Sequence, residues 1–412
     1  MKKRVVVTGI GTINPLGNNL QVTWEAAKNG VNGIAEVKRF DASNWDVKIA
    51  GEVKDFDFET YFGKKEVKRN DRFSLLAMVA TDEAIKDSQL DFSTGSTERV
   101  GVYFSSGIGG LETIAIEHSK GLSKGFNRIS PFFIPTSIIN IAAGNIAIKY
   151  GIHGPATASV TACASATNTI GDAFRSLRDG YLDIAIAGGS EATITELGLS
   201  GFKVMHALSN SNDPNNASIP FDKERSGFVM GEGAGTLILE TLDHAQERGA
   251  KIYAEIVGYG ATCDATHITS PDPQGTGAMN CMKNALLDGK VPFNQVDYIN
   301  AHGTSTPLND RIETLAIKRL FNDHAKHLAI SSTKSMTGHL LGASGAIESI
   351  FSIMAVKEDF VPPTINTKNF DPECDLDYTV NVGKSRPVSI ALSNSLGFGG
   401  HNATLVFKKW EG

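Results

Sequence analysis

The chain of 412 residues sets 39 Lys and Arg against 45 Asp and Glu, a formal net charge of -6, with 41% hydrophobic and 20% charged residues. That length is enough for two or three average domains or one large duplicated body, and the slight acidic excess excludes a global basic field of the kind that binds nucleic acid or acidic membranes. No apolar run approaches the roughly 20 residues that span a bilayer, and four scattered cysteines without a C-x-x-C pair predict a reduced, cytoplasmic protein.

In chain order, Met1-Lys2-Lys3-Arg4 leads into a strand over 4–9 rather than a signal segment. Gly9-Ile10-Gly11 lacks the third glycine of a dinucleotide fingerprint and soon meets Pro15, so no such site is expected. The charge run Lys64-Lys65-Glu66-Val67-Lys68-Arg69 fits a solvated helix face and a docking patch about equally. A helix over 71–88, a strand over 99–105 and a glycine cluster at Gly107–Gly110 follow. Pro131–Ile148 is apolar, proline-bounded and longer than a simple connection, which suits a pocket cap or a subunit interface. Next come Val160–Asn168, a helix over 168–178, and strands over 184–187 and 235–240.

After Gly249 the scheme repeats, with strands over 253–258, 298–301, 388–393 and 403–407 and helices over 277–287 and 345–356. Ser105-Ser106-Gly107 answers to Ala301-His302-Gly303, and Thr161-Ala162-Cys163 to Thr337-Gly338-His339. This predicts an α/β fold of two duplicated halves, 1–249 carrying the cysteine and 250–412 carrying two histidines, in one continuous body.

Cys163 stands where a β-branched run gives way to small residues and a helix, at a helix start whose free N–H groups favour an anion. Its thiolate is therefore expected below the free-cysteine pKa of about 8.5. Cys281 and Cys374 are expected to be buried hydrophobes. His302 and His339 each lie among glycines and hydroxyls, so a substrate can approach closely, and with Cys163 they suggest an acyl-transfer site.

With these three segments in view, the chain resembles the β-ketoacyl-acyl carrier protein synthases of the thiolase-like superfamily, in particular the bacterial type II elongating enzymes. The resemblance covers essentially the whole chain and rests on Val160–Ala164, Pro220–Lys223 with Gly227–Gly235, Asn300–Pro307, Ser331–Gly342 and Asn394–Asn402, in order. It implies an αβαβα five-layered sandwich, usually a homodimer, acting on acyl- and malonyl-acyl carrier proteins with no cofactor and no catalytic metal. Matched by motif, Cys163 is the nucleophile, His302 and His339 the histidines, Lys334 the lysine supporting the second histidine, and Glu348 the carboxylate behind that lysine. Phe398 matches the gating phenylalanine whose N–H joins that of Cys163 in an oxyanion hole. Thr304 and Thr306 match threonines for malonyl carboxylate and pantetheine, and Thr269 lies in the loop facing them. Ile108, Phe133, Ile134 and Phe202 correspond to acyl-tunnel residues. Lys64, Lys65, Lys68 and Arg69, with Lys124 and Arg128, fall where the family docks its acidic carrier. A structural cation near Asn300, Glu348 and Asn394 is mentioned by the resemblance alone.

The reaction so implied is decarboxylative condensation. Cys163 takes the acyl group, and two neutral imidazoles stabilise the enolate formed as malonyl loses carbon dioxide. Thr266 departs from a usual aromatic, Asn127 and His206 from frequent basic residues, and Thr136–Ala143 from a methionine-rich stretch. These departures leave open an atypical chain-length preference, including elongation of cis-unsaturated intermediates. A cysteine acyl-thioester hydrolase is the rival from another class, but it needs neither two histidines nor Thr304 and Thr306. A catalytically silent partner subunit would lack Cys163.

Overall fold

The run Val5-Val6-Val7 opens a strand, β1 (Val5–Ile13), buried along its whole length in the computed structural model, which describes residues 2–412. It does not stop at Gly9. Gly9 and Gly11 point to one side, two residues apart, and there the helix α1 (Arg72–Ser88) presses on the strand. A Cβ on Gly11 would lie 2.0 Å from Ala80 O and one on Gly9 2.4 Å from Ala84 O. The glycines serve helix-on-strand contact rather than a turn.

The elements that follow are β2 (Val100–Ser105), α2 (Leu111–Lys124), α3 (Ile141–Tyr150), β3 (Ala156–Thr157), α4 (Ser165–Arg178), β4 (Ile184–Glu191) and β5 (Gly233–Thr241). The second part supplies β6 (Ala254–Cys263), α5 (Thr276–Asp288), β7 (Tyr298–Asn300), α6 (Pro307–Phe321), β8 (Ala329–Ser331), α7 (Ser344–Glu358), β9 (Ile390–Gly397) and β10 (His401–Lys409). Several strands outrun their expected ends. The expectation for β4 stopped at Ala187, yet Gly188 and Gly189 continue the ladder with β5, and both lack room for a side chain: a Cβ on Gly188 would lie 2.1 Å from Gly235 O and one on Gly189 2.8 Å from Ala166 Cβ.

Among the described residues the strand order is β3-β2-β4-β5-β1 in the first part and β8-β7-β9-β10-β6 in the second. In both, the second strand runs parallel to its two neighbours and the remaining pairs are antiparallel. The sheets are thus two copies of one topology. They join where Val5–Val7 of β1 pair with Ala254–Ile256 of β6. Helices α4 and α7 lie between the sheets and touch strands of both, with α1 and α3 outside the first and α5 outside the second. The stack of layers is that of thiolase-like proteins. Position explains burial pattern: every residue from Ser344 to Val356 is buried, as a middle-layer helix requires.

The duplication corrects one expectation. A three-residue 3-10 turn precedes each central helix, Ala162–Ala164 before α4 and Leu341–Ala343 before α7, and each turn begins on a left-handed residue, Ala162 (φ 51) and Leu341 (φ 48). The counterpart of Cys163 is therefore Gly342. His339 lies three residues earlier, in the loop entering the turn.

Candidate active site

Cys163 is buried in the turn at the foot of α4. Thr161 fixes this turn: its carbonyl accepts from Ala164 N at 3.0 Å, its N–H donates to Ser165 Oγ at 2.9 Å, and its hydroxyl accepts from Asn168 Nδ2 at 2.7 Å. Left-handed backbone at a residue with a side chain costs about 1 kcal/mol or more, and these bonds hold it.

From the second half, His302 follows the end of β7. Its backbone N–H and that of Gly303 donate to the two carboxylate oxygens of buried Glu313, each at 2.9 Å. A Cβ on Gly303 (φ +36) would strike Ser332 Cβ at 2.6 Å, so glycine is required beside the imidazole. The backbone N–H of His339 donates to Val229 O at 2.7 Å and its carbonyl accepts from Gly231 N at 2.8 Å. Its Nε2 lies 3.1 Å from Cys163 Sγ and its Nδ1 2.9 Å from Ser344 Oγ. The two imidazoles stand edge to face, centroids 5.3 Å apart at 85°. Lys334, buried at 1% exposure, pairs with Glu348 and brings Nζ to 3.4 Å from His302 Nδ1.

The three segments meet on one cavity of about 600 Å³, whose wall also holds Phe398, Thr304, Thr306, Thr269 and Phe202. Thr304 and Thr306 share a hydroxyl bond of 2.8 Å. Phe228 packs edge-on against His339 at 5.1 Å and 81°. Phe228 lies inside the glycine-rich block 227–235, and the sequence assigns it no role, because burial beside a histidine leaves no local pattern. His206 and Asp264 also line the wall.

Other expected residues lie elsewhere. Ile108 packs behind the wall in the apolar cluster of Cys163, Leu341 and Phe202. Phe133 lines a separate cavity of about 340 Å³ with Lys68, Arg72 and Ile116. Lys64 and Lys65 lie on the short helix Lys64–Val67 and Lys68 caps it; Arg69 stacks on Phe132 at 5.4 Å. Lys124 ends α2 and Arg128 ends the turn Phe126–Arg128. None of these six basic residues lines the Cys163 cavity.

Electrostatics revises the expectation for the thiol. Burial pushes Cys163 up to about 12, against the opposing pull of Lys334 and of the N–H groups of Phe398 and Cys163 itself, with Glu191 adding to the rise. Desolvation outweighs the helix start, so the resting sulfur is a thiol. Burial, reinforced by Lys334, holds His302 and His339 well below the ordinary histidine value, and both imidazoles are neutral. Burial lifts Glu348 to about 7 despite its lysine partner.

Residues 2–245 match the family model described as beta-ketoacyl synthase, N-terminal domain, and residues 253–368 match its C-terminal domain. The chain is 52% identical over 409 residues to "3-oxoacyl-[acyl-carrier-protein] synthase 2" of Staphylococcus aureus (strain COL), covering 99% of each chain. It is 53% identical over 411 residues to the protein of that name from Synechocystis sp., covering 100% of this chain and 99% of the relative. Among solved structures it is similar to a type II polyketide ketosynthase in complex with its acyl-carrier protein and bound to a hexaketide. That match has a TM-score of 0.89 and 34% identity over 100% of both chains.

Proposed function

Because the chain belongs to the β-ketoacyl synthase family, we propose that Cys163, His302 and His339 carry out the two stages of decarboxylative condensation in their shared cavity. The protein is an acyltransferase that condenses an enzyme-bound acyl group with malonyl-acyl carrier protein to give 3-oxoacyl-acyl carrier protein, lengthening fatty acids by two carbons. Relatives named synthase 2 do not favour a dedicated role on cis-unsaturated intermediates.

In the first stage Cys163 Sγ bonds to the acyl-carrier carbonyl carbon as the carrier C–S bond breaks, and the thiol proton of Cys163 passes to the departing sulfur, so the carrier leaves as a thiol. The backbone N–H groups of Cys163 and Phe398, two residues of one cavity wall, serve as the oxyanion donors. Oxyanion donors of this kind contribute about 3 kcal/mol each. In the second stage malonyl thioester loses carbon dioxide, and its enolate oxygen accepts from the two imidazoles. The Lys334 ammonium can only donate to His302 Nδ1, which leaves that ring's proton on Nε2, and the mechanism requires the same tautomer of His339, with Ser344 Oγ donating to its Nδ1. The enolate carbon then attacks the Cys163 thioester, forming the carbon–carbon bond and releasing the thiolate. Thr304 and Thr306 bind the malonyl carboxylate and pantetheine arm, Thr269 faces them, and Phe398 gates the pocket.

Asn300 Oδ1 and Glu348 Oε2 are buried oxygens without a hydrogen-bond partner, while Asn394 is satisfied by Thr404 and Glu313. The Asn300 and Glu348 oxygens are the ones free to hold the structural cation that the resemblance implies, Glu348 already having Lys334 as its charge partner.

The halves 1–249 and 250–412, a homodimer and a cytoplasmic location complete the reading. No helix among the described residues is long and apolar enough to cross a membrane. Exposed Phe132, Ile134, Ile138 and Ile148 near the first-sheet edge support the dimer. Lys64, Lys65, Lys68, Arg69, Lys124 and Arg128 dock the acidic carrier, and Ile108 and Phe202 shape the acyl tunnel, whereas Phe133, on its separate cavity, does not reach the Cys163 pocket of its own chain.

The observation that carries the mechanism is the convergence of a thiol and two neutral imidazoles on one cavity. Mass spectrometry of products from acyl- and malonyl-carrier tests it. Two-carbon-longer 3-oxoacyl products that vanish in Cys163→Ala are expected, whereas free acid alone would establish the hydrolase.

A further inference from the structure

Glu191 ends β4, is fully buried and takes part in none of the steps above. Its Oε1 accepts from Ser106 Oγ at 2.8 Å and Ile108 N at 3.3 Å, and its Oε2 from Gly107 N at 2.9 Å and Gly342 N at 3.0 Å. Four donors on two oxygens suit an ionised carboxylate, which accepts without donating, and they oppose the burial that lifts Glu191 to about 7. They come from two loops: the one leaving β2 in the first half, and the turn opening α7 in the second.

Those loops touch. A Cβ on Gly342 would lie 2.0 Å from Gly107 N, and one on Gly107 would lie 2.8 Å from Glu191 Oε2. Ile108 follows Gly107 and Leu341 precedes Gly342, and both side chains pack in the apolar cluster of Cys163 and Phe202. His339, by contrast, is fixed through Val229 and Gly231, and His302 through Glu313. A change at Glu191 therefore reaches the apolar wall beside the sulfur before it reaches the imidazoles.

We propose that Glu191 is a positioning residue that sets acyl-chain selectivity by holding Ile108 from one half and Leu341 from the other in register beside Cys163. The proposal rests on the reading that this cavity accepts an acyl group.

Glu191→Gln keeps the size of the side chain but turns an N–H₂ donor toward backbone N–H donors. The expected result is a change of about tenfold in the ratio of condensation rates on lauroyl- and butyryl-carrier, the scale of one lost buried charge-assisted bond. Acyl-independent carbon dioxide release from malonyl-carrier should stay within about twofold, since it needs no acyl chain against Ile108 and Leu341. An unmoved ratio, or equal loss of both activities in a folded variant, would overturn the role. Should Glu191→Gln fail to fold, Ser106→Ala removes one of the four donors; a smaller shift of the ratio in the same direction supports the proposal, and no shift overturns it. A wild-type protein that forms no 3-oxoacyl product would overturn the function and this role together, whereas wild-type turnover with an unmoved ratio overturns the role of Glu191 alone.

Discussion

The Lys334 ammonium touches the Glu348 carboxylate and lies 3.4 Å from His302 Nδ1, so one cation acts on the protonation of both neighbours. It also depresses the His302 and His339 imidazoles, after burial the largest cause for each. Lys334→Met keeps the apolar stem, leaves Glu348 buried without its partner, and costs about 3 kcal/mol or more. The sign of the pH effect follows from the lost cation. The histidine pKa values rise toward the ordinary 6.5, imidazolium forms at a higher pH, and the acid limb of malonyl decarboxylation moves upward in pH. Carbon dioxide release from malonyl-carrier followed across pH, wild type against variant, measures it; a limb that stays in place contradicts the assignment. Stability carries the same signature. With both imidazoles depressed in the folded state, unfolded chains take up protons that folded chains refuse. The histidine contribution to stability is thus whole above about pH 6.5 and is lost as pH falls below it.

The central helices α4 and α7 meet closely at Gly345, where an added Cβ would lie 2.0 Å from Thr167 Oγ1 and 2.9 Å from Thr167 N. These helices begin at the turns that carry Cys163 and Gly342, so pushing them apart moves Cys163 against His302 and His339. Gly345→Ala should lower stability by about 1–3 kcal/mol, as overpacking does, and reduce condensation further than a melted fraction explains. Gly144→Ala on α3 is the control. Its Cβ meets nothing nearer than Ile141 Cδ1 at 3.9 Å, and the helix should gain up to about 1 kcal/mol from better propensity. Denaturant midpoints and turnover of both variants check the contrast. How far such elements can be read in advance depends on whether the cause is local. The Cys163, His302 and His339 segments were legible because glycines and small residues around a reactive side chain form a pattern along the chain. The order of strands and helices was legible from periodicity. Glu191 was not: it follows Gly188-Gly189-Ser190 in a buried strand, and its partners are backbone amides 84 and 151 residues away. The thiol's high pKa was not legible either, since it comes from burial by segments that only the fold assembles.

At the scale of the whole molecule, the two halves repeat one topology yet are incomplete without each other. Helix α4 belongs to the first half but packs on β6 and β10 of the second as well as on its own β2 and β4, and α7 reciprocates against β4 and β5. Tyr259 of β6 lies against Gly171 of α4, with an added Cβ only 2.5 Å from the ring, and its hydroxyl reaches Asn168 Oδ1. Removing one half would strip apolar cover from both faces of this layer. Ile170, Phe174 and Leu177 lie in the same core cluster as Phe351, Leu405 and Phe407, so burial there is shared across the boundary. At about 25 cal/mol per Å² of apolar surface, exposing several such side chains outweighs the marginal stability of a typical domain. Intact protein should therefore unfold in one cooperative denaturant transition seen alike by near-UV and far-UV circular dichroism. The fragment 1–249 expressed alone should give secondary structure without a cooperative near-UV transition, and mixing it with 250–412 should restore one. A fragment that unfolds cooperatively by itself would mean that the shared layer belongs energetically to one half.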